Sequence, residues 1–266
     1  EQLQEVTPEV IREKAKTACA EGGELIQLSS GTTGNPKTIT RPWHDIEREL
    51  AAYVAQFTEA MSLTPVVACP VTHSYGLICG VLAALQRGIA PQVITNLNPR
   101  SILARLRAVP EHLLYASPTL VSLLIRMLPE NQRLHSVMLS GAPLPAPVLD
   151  QLRNRCLRVC QQYGCSEAGC VALSPDVTEP GQLGLPLSHV SVQAGGSPGQ
   201  PDEILITVKA TGQRIHSRDL GYFDQQGQLH FLARSDDTIN VAGINVYPGA
   251  VEDVFLGYPG IREAVA

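Results

Sequence analysis

Several features are missing from this 266-residue sequence, and most of these absences exclude a class of protein. No apolar stretch approaches the roughly 20 residues that cross a bilayer, so we expect no membrane span. There is no Lys/Arg run and the net charge is −5, which argues against a nucleic-acid surface. No signal-peptide pattern opens the chain, but because the chain starts at Glu1 rather than Met, this absence is weak evidence and excludes no class. The apolar fraction of 44% indicates a globular protein with a large core.

Paired metal-binding cysteines are also missing. Seven cysteines occur, an odd number, and four of them lie close together at Cys156, Cys160, Cys165 and Cys170. Their spacings include no C-x2-C pair, so a metal site is the minor alternative and reduced, mostly buried thiols are favoured. Because reduced thiols are typical of the cytosol, we expect a cytoplasmic protein.

Short apolar runs alternate with helical patterns over the first two thirds of the chain. Strands are predicted at residues 25–28, 38–40, 66–69, 89–94, 113–116, 136–140 and 157–161. Helices are predicted at residues 7–21, from Asp45 onward, and at 77–85, 99–108, 118–128 and 146–155. This alternation predicts an α/β fold with a doubly wound, mostly parallel sheet. Ligands bind such sheets beyond the carboxyl ends of the strands, which makes the loops at 70–76, 140–145 and 162–169 candidate binding loops.

The pattern changes near residue 175, where helical periodicity stops. A strand pattern at residues 203–209 and a hairpin pattern at 222–232 predict a small β-rich unit. A polar link at 234–237 is followed by an extended segment at 238–247 and a helix at 250–256. We therefore divide the chain into an α/β domain at 1–174, a β-rich subdomain at 175–233, and the beginning of a further subdomain at 234–266.

The most informative stretch is Ser29-Ser30-Gly31-Thr32-Thr33-Gly34-Asn35-Pro36-Lys37, between two predicted strands. Glycine lets the backbone approach a ligand, hydroxyl and N–H groups can surround phosphate oxygens, and lysine adds a positive charge. The stretch lacks the G-x-x-x-x-G-K-[ST] pattern of a Walker A loop. Its composition suits a polyphosphate-binding loop, and a polar hairpin is the plain alternative.

Three further motifs follow along the chain. Tyr163-Gly164-Cys165-Ser166-Glu167 ends a predicted strand, where the Tyr163 ring could contact a base and Glu167 could ligate Mg2+. In His216-Ser217-Arg218-Asp219-Leu220-Gly221, Asp219 could accept hydrogen bonds from two ribose hydroxyls. The last motif occupies residues 234–243. Each has a structural alternative when taken singly: Tyr163 could pack, Glu167 could cap a helix, and Asp219 could pair with Arg218.

In this order, the four motifs resemble those of the acyl-adenylate-forming superfamily, which includes acyl- and aryl-CoA synthetases, peptide-synthetase adenylation domains and luciferases. Residues 29–37 are similar to its phosphate-loop signature. Residues 163–167 are similar to its Tyr-Gly-x-Thr-Glu motif, with Ser166 in place of Thr. Asp219 matches its ribose-binding Asp, although Ser217-Arg218 replaces the usual Thr-Gly. Residues 233–243 resemble its hinge motif, with Ala233 in place of Gly and Asn240 in place of Lys.

The resemblance implies ATP and Mg2+ as cofactors and a small carboxylic acid, aliphatic or aryl, as substrate. The carboxylate would attack the α-phosphate to give acyl-AMP and pyrophosphate. The acyl group would then pass to CoA or to the phosphopantetheine thiol of a carrier protein. Such a reaction depends on positioning and charge neutralisation more than on an acid or base.

The same resemblance assigns roles to single residues. The ATP phosphates would be held by Ser29, Ser30, Gly31, Thr32, Thr33, Gly34 and Lys37. Ser166 would contact the α-phosphate, and Glu167 would hold Mg2+. Adenine would lie against Tyr163 and Gly164, beside Gly141 and Ala142, and the ribose would be held by Asp219 and Arg234. Asp236 would be the hinge of a mobile C-terminal subdomain that begins within residues 234–266.

The acid pocket is indicated by His73-Ser74-Tyr75-Gly76, which resembles the loop between acyl pocket and nucleotide in fatty-acyl and aryl-CoA ligases. Its place at the end of a strand favours a functional His73 over a buried structural one. Amino-acid-activating members usually carry an Asp near this loop, and residues 70–80 contain none.

The chain departs from the family in one catalytic group. Members carry a lysine in the C-terminal subdomain that contacts both the acyl carboxylate and the α-phosphate, and residues 249–266 contain no lysine. The chain is therefore a fragment, a naturally compact member, or a degenerate member that binds nucleotide without efficient turnover. The alternative function is a non-catalytic nucleotide- or acyl-adenylate-binding module.

Overall fold

The computed structural model describes residues 22–29, 37–142, 144–241, 244–258, 260, 261, 264 and 265. The predicted helix at 7–21 and residues 30–36 of the predicted phosphate loop lie outside these described residues. Within them, no helix is long and apolar enough to cross a membrane.

The strands are numbered in chain order. They are β1 (Glu24–Ser29), β2 (Lys37–Pro42), β3 (Thr64–Val67), β4 (Gln92–Val93), β5 (His112–Ala116), β6 (Leu134–Leu139), β7 (Cys156–Cys165), β8 (Gly169–Ser174), β9 (Gln182–Pro186), β10 (Val190–Gln193), β11 (Asp202–Val208), β12 (Arg214–Phe223), β13 (Leu229–Arg234), β14 (Ile239–Val241) and β15 (Ile244–Val246). The α-helices are α1 (Trp43–Gln56), α2 (Ala83–Gln86), α3 (Pro99–Ala108), α4 (Pro118–Met127), α5 (Ala146–Arg155) and α6 (Pro248–Leu256). A 3-10 turn at Thr58–Ala60 follows α1, and a π-helix at Tyr75–Leu82 leads into α2.

Eleven strands form one sheet in the order β10-β11-β12-β13-β9-β8-β7-β6-β5-β3-β4. The five strands from β7 to β4 pair in parallel, and the remaining pairs are antiparallel. The predicted α/β fold is confirmed, with parallel pairing confined to one half of a mixed sheet. The sheet also continues across residue 175, so the proposed division into domains remains a prediction.

Helices cover both faces of the parallel half. Successive residues of β5 point to opposite sides: Leu113 and Tyr115 belong to the core under α1 and the π-helix, and Leu114 and Ala116 belong to the core under α3, α4 and α5. Such strands are buried on both faces, which is why they are almost continuously apolar in sequence.

Local start signals set the positions of two of these helices. Asn98 accepts a hydrogen bond from the Arg100 amide at 3.0 Å, and Ser117 accepts one from the Leu120 amide at 3.3 Å. Each cap is followed by a proline, whose fixed φ suits the first helical turn. These signals explain why the predictions for α3 and α4 agree with the structure to within one residue.

Several predicted elements differ in extent; for example, β7 continues to Cys165, whereas the strand predicted there ends at residue 161. The strand predicted at 89–94 is only the two-residue β4 at the edge of the sheet, since Pro91 has no amide hydrogen to donate there. The helix predicted at 77–85 begins at Tyr75 and is π-helical to Leu82. Its continuous apolar sequence fits either kind of helix, so the pattern cannot distinguish them.

The six cysteines that the structure describes are all free, and four of them, Cys79, Cys156, Cys160 and Cys170, are buried. Burial raises the pKa of Cys156 and of Cys165 to about 12, so both remain thiols at neutral pH. The possible cation ligands that the described residues bring together are Glu179, Asp224 and His230, without a cysteine. For the described residues, the prediction of reduced and mostly buried thiols is confirmed.

We expect the free energy of unfolding to fall as the pH drops below about 6.5. His112 is buried, its Nδ1 donates to Val109 O at 2.7 Å, and its Nε2 accepts from the His135 amide at 3.0 Å. Burial lowers its pKa below the usual 6.5, so the unfolded chain binds a proton at higher pH than the folded chain. Denaturant titrations at pH 7.5 and 5.5 should show that His112→Gln loses less unfolding free energy at the lower pH than wild type does. The exposed control His44→Gln should lose as much as wild type. Equal losses in both variants would contradict this role of His112.

Candidate functional site

The predicted binding loops lie together at the carboxyl edge of the parallel strands. Gln27 of β1 donates to Thr72 O at 3.1 Å and accepts from Ser74 Oγ, which joins β1 to the loop that follows β3. The β1–β2 pair sets Ser29 opposite Lys37, so the two ends of the predicted phosphate loop lie side by side. The strands predicted on either side of that loop are therefore confirmed.

Tyr75 connects the same loop to the ends of two parallel strands. Its hydroxyl donates to Met138 O, and Ala116 O lies 3.3 Å from the same hydroxyl oxygen. Burial raises the pKa of Tyr75 well above its usual value, so the hydroxyl remains a donor. His73, two residues earlier, is exposed.

A cavity of about 430 Å³ opens at this edge. Six predicted nucleotide-binding residues line it: Gly141, Ala142, Tyr163, Gly164, Asp219 and Arg234. They come from four separate segments, namely the loop after β6, the end of β7, the middle of β12 and the end of β13. The volume falls within the range of about 300–1,000 Å³ that is usual for small-molecule sites.

Asp219 is the polar centre of the cavity wall. Tyr163 Oη donates to Asp219 Oδ2 at 2.7 Å, and Arg234 Nη1 lies 3.3 Å from Asp219 Oδ1. The β12–β13 register places Asp219 directly opposite Arg234, which accounts for their contact. The side chain is only 13% exposed, and burial raises the pKa of Asp219, while the hydrogen bond from Tyr163 and the charge of Arg234 act in the opposite direction.

Arg234 also contacts the predicted hinge residue. Its Nε donates to Asp236 Oδ1 at 3.3 Å. This hydrogen bond lowers the pKa of Asp236 and raises the pKa of Arg234. One guanidinium therefore contacts both Asp219 and Asp236.

Ser166 and Glu167 lie in the tight turn of residues 166–168 that joins β7 to β8. Glu167 is exposed and Ser166 is half-buried. Glycine is required at Gly164, because a Cβ there would lie 2.0 Å from Gly169 O. The turn therefore presents Glu167 to solvent while the strands beneath it pack without room for another side chain.

Arg218 has a left-handed backbone with φ 61°, which is unfavourable for a residue with a side chain. It is the position at which the resembling family usually has glycine. We expect Arg218→Gly to stabilise the protein by about 0.5–1 kcal/mol, because relief of about 1–2 kcal/mol of strain exceeds the entropic penalty of glycine. Denaturant unfolding measures this change. Arg214→Gly, in extended backbone of the same strand, should destabilise instead, and a loss of stability in both variants would contradict the strain.

The remaining predicted residues are only partly described. Ser30, Gly31, Thr32, Thr33 and Gly34 lie outside the described residues, and Ser29 and Lys37 are described by their backbone pairing alone. The wall of the cavity does not include His73, Ser166 or Glu167. Their roles remain predictions.

Several cavity residues were not predicted from the sequence. They are Gln161, Gln162, Gly181, Leu183, Phe231, Leu232, Ala233, Asp237, Pro248, Gly249 and Glu252. Strand alternation could have indicated Gln161, two residues before Tyr163 on the same strand. Gly181 and Leu183 carry no local signal, because long-range pairing with β8 and β13 brings their segment to the cavity.

The sequence profile of the family described as AMP-binding enzyme matches residues 4–203, three quarters of the chain. The chain belongs to this family. The matched residues include the motifs at 29–37 and 163–167.

Three similar proteins illustrate the match. The 3,4-dihydroxybenzoate–[aryl-carrier protein] ligase of Bacillus anthracis is 41% identical over 246 residues, which cover 92% of this chain and 59% of the relative. The structure of ATP-bound MatB from Rhodopseudomonas palustris has a TM-score of 0.76 at 21% identity, over 90% of this chain and 54% of that one. O-succinylbenzoate coenzyme A synthetase (MenE) of Bacillus subtilis, in complex with ATP and magnesium, has a TM-score of 0.72 at 24% identity, over 90% and 55%. The chain therefore spans little more than half the length of these proteins.

Proposed function

We propose that the protein containing this chain activates a carboxylic acid with ATP and transfers the acyl group to a thiol. The observation that carries the proposal is the cavity at the sheet edge in which Tyr163, Asp219 and Arg234 converge. Asp219 can accept hydrogen bonds from ribose hydroxyls with the lone pairs that Tyr163 and Arg234 leave available. Membership of the AMP-binding family supports the same activity.

The proposed reaction has two steps. A carboxylate oxygen of the acid attacks the α-phosphorus of ATP, the bond from that phosphorus to the bridging oxygen breaks, and pyrophosphate leaves. A thiol then attacks the acyl carbon of acyl-AMP, AMP leaves, and the thiol proton passes to solvent. The protein would contribute mainly by positioning the reactants and neutralising charge.

In this proposal the phosphate groups are held by residues 29–34 and Lys37, and the α-phosphate contacts Ser166. Tyr163 and Gly164 lie against adenine beside Gly141 and Ala142, and Asp219 and Arg234 hold the ribose. Asp236 is the hinge, and His73 borders the acid pocket. The exposed carboxylate of Glu167 fits Mg2+, a hard cation that prefers oxygen ligands. Bound Mg2+ would neutralise phosphate charge during the displacement.

We further propose an aromatic acid as substrate and a carrier-protein phosphopantetheine thiol as acceptor, with CoA as the other thiol to be tested. The name of the Bacillus anthracis relative, at 41% identity, supports this choice. A cytoplasmic location belongs to the same proposal and is supported by the free cysteines, because oxidising compartments favour disulfides.

The decisive experiment is acid-dependent exchange of labelled pyrophosphate into ATP by the full-length protein. The panel should include 3,4-dihydroxybenzoate, benzoate, 2-succinylbenzoate and a medium-chain fatty acid. We expect exchange with at least one aromatic acid, followed by acyl transfer to an aryl carrier protein. Absence of exchange with every acid would refute the enzymatic proposal, and calorimetric ATP binding without turnover would then support a binding module.

A further inference from the structure

A buried ion pair lies beneath the turn that carries Ser166 and Glu167. Arg41 Nη1 is 2.7 Å from Glu49 Oε2, and the two side chains are 6% and 0% exposed. Arg41 belongs to β2, four residues after Lys37, and Glu49 belongs to α1. Since removing both charges from water is expensive, a pair this deeply buried calls for a reason beyond stability.

The second oxygen of Glu49 contacts the start of β8, directly after the turn. The Cys170 amide donates to Glu49 Oε1 at 2.8 Å. The residue before it, Gly169, has a φ of +73°, and a Cβ at this position would lie 2.1 Å from Glu49 Oε2. The backbone after the turn is therefore in direct contact with the carboxylate, and only glycine fits between them.

A second side chain contacts the other end of the same turn. His189 Nε2 lies 3.4 Å from Ala168 O, and because a carbonyl only accepts, this nitrogen is the donor. Residues 168 and 170 are thus each hydrogen-bonded to a side chain from another segment, immediately after Ser166 and Glu167. Arg41, which pairs with Glu49, lies on β2, the strand that begins at Lys37. The contacts of Glu49 therefore connect the start of β8 to β2.

We propose that Glu49, held by Arg41, and His189 are positioning residues that hold the turn of residues 166–168, with Arg41 connecting it to β2, the strand that begins at Lys37. This proposal rests on the proposed function, since it assigns ATP and Mg2+ contacts to the two segments that are joined. Residues that orient metal ligands without touching the metal typically change its affinity by about 10–100-fold when removed. The turn presents Glu167 for Mg2+ and Ser166 for the α-phosphate only while its backbone is held from below.

The test compares two double variants of the full-length protein that both lack the buried charges. Arg41→Met with Glu49→Gln keeps an acceptor for the Cys170 amide, and Arg41→Met with Glu49→Met removes it. For R41M/E49Q we expect the half-saturating Mg2+ concentration in pyrophosphate exchange, and the Mg2+–ATP affinity by calorimetry, to stay within about twofold of wild type. For R41M/E49M we expect that concentration to rise, and that affinity to fall, by about tenfold or more. Hydrogen exchange in residues 166–170 should also be faster, and the KM for the acid should be nearly unchanged.

Two further variants complete the comparison. His189→Leu removes only the contact at Ala168 and should raise the half-saturating Mg2+ concentration. This variant still tests the proposal if R41M/E49M does not fold. Arg48→Gln, an exposed neighbour on α1, should match wild type. Equal Mg2+ dependence in R41M/E49Q and R41M/E49M would overturn the positioning role of Glu49. A His189→Leu variant with the Mg2+ dependence of wild type would overturn that of His189. Wild type that binds Mg2+–ATP without any acid-dependent exchange would refute the proposed function instead, and the calorimetric comparison would still test the positioning role.

Discussion

Replacing Asp219 by Asn should lower kcat/KM for ATP in pyrophosphate exchange by about 100-fold. A hydrogen bond to a charged group contributes about 1.5–3 kcal/mol, so two ribose hydroxyls on one carboxylate account for about 3 kcal/mol or more. The variant also leaves Arg234 without the carboxylate that lies 3.3 Å from its Nη1. The KM for the acid should change much less, because the effect arises at the nucleotide.

The matched control for Asp219→Asn is Asp150→Asn, an exposed substitution on α5. It should leave the kinetics unchanged. A fully active Asp219→Asn protein would remove Asp219 from the nucleotide site, whatever the fate of the rest of the proposal. Calorimetry with AMP would show whether Asp219→Asn loses affinity for the ribose, since AMP contains the ribose but lacks the β- and γ-phosphates. Weaker AMP binding is the expected result.

Replacing Glu167 by Gln should lower kcat for pyrophosphate exchange by about 100-fold and raise the Mg2+ concentration needed for half-saturation. Mg2+ binds carboxylate oxygens, and its contribution to charge stabilisation in such displacements is several kcal/mol. Glu167 is exposed at the tip of the β7–β8 turn, so the substitution should leave the stability within about 0.5 kcal/mol. A loss of activity in a folded Glu167→Gln protein would therefore reflect the loss of the Mg2+ ligand rather than loss of structure.

Glu130→Gln, an exposed change after α4, serves as the control for Glu167. Its Mg2+ titration should superimpose on that of wild type. An unaltered Mg2+ titration in Glu167→Gln would exclude this carboxylate as a ligand. Titration with Mn2+ in place of Mg2+ is a second test, because Mn2+ accepts similar oxygen ligands. The half-saturating Mn2+ concentration should also rise in Glu167→Gln.

Local signals account for the parts of the fold that were predictable. Proline after Asn98 and Ser117 marks two helix starts, and apolar runs mark strands buried on both faces. The order of the motifs identified Tyr163, Asp219 and Arg234, which the structure brings together in one cavity. Their contacts were not predictable from spacing, because 56 residues separate Tyr163 from Asp219 and only the strand order joins them.

The features that escaped prediction are those without a short-range pattern. Glu49 reads as an ordinary polar residue on a helix, yet its side chain is fully buried against Arg41 and the Cys170 amide. Arg218 has a left-handed backbone, and its amide donates to Glu203 Oε1 at 3.0 Å, on the neighbouring strand β11. Both features involve contacts between distant segments, and a single sequence contains no direct record of them.

The unbroken sheet has a consequence for cleavage of the chain. β8 and β9 are joined by the pairs Ala172–Pro186 and Leu173–Leu185, and β9 is joined in turn to β13. A protease that cuts the connection between β8 and β9 would therefore leave two pieces held together by a hydrogen-bonded ladder and a common core. Separation of those pieces would require denaturant, and a nicked molecule would still migrate as one particle in gel filtration.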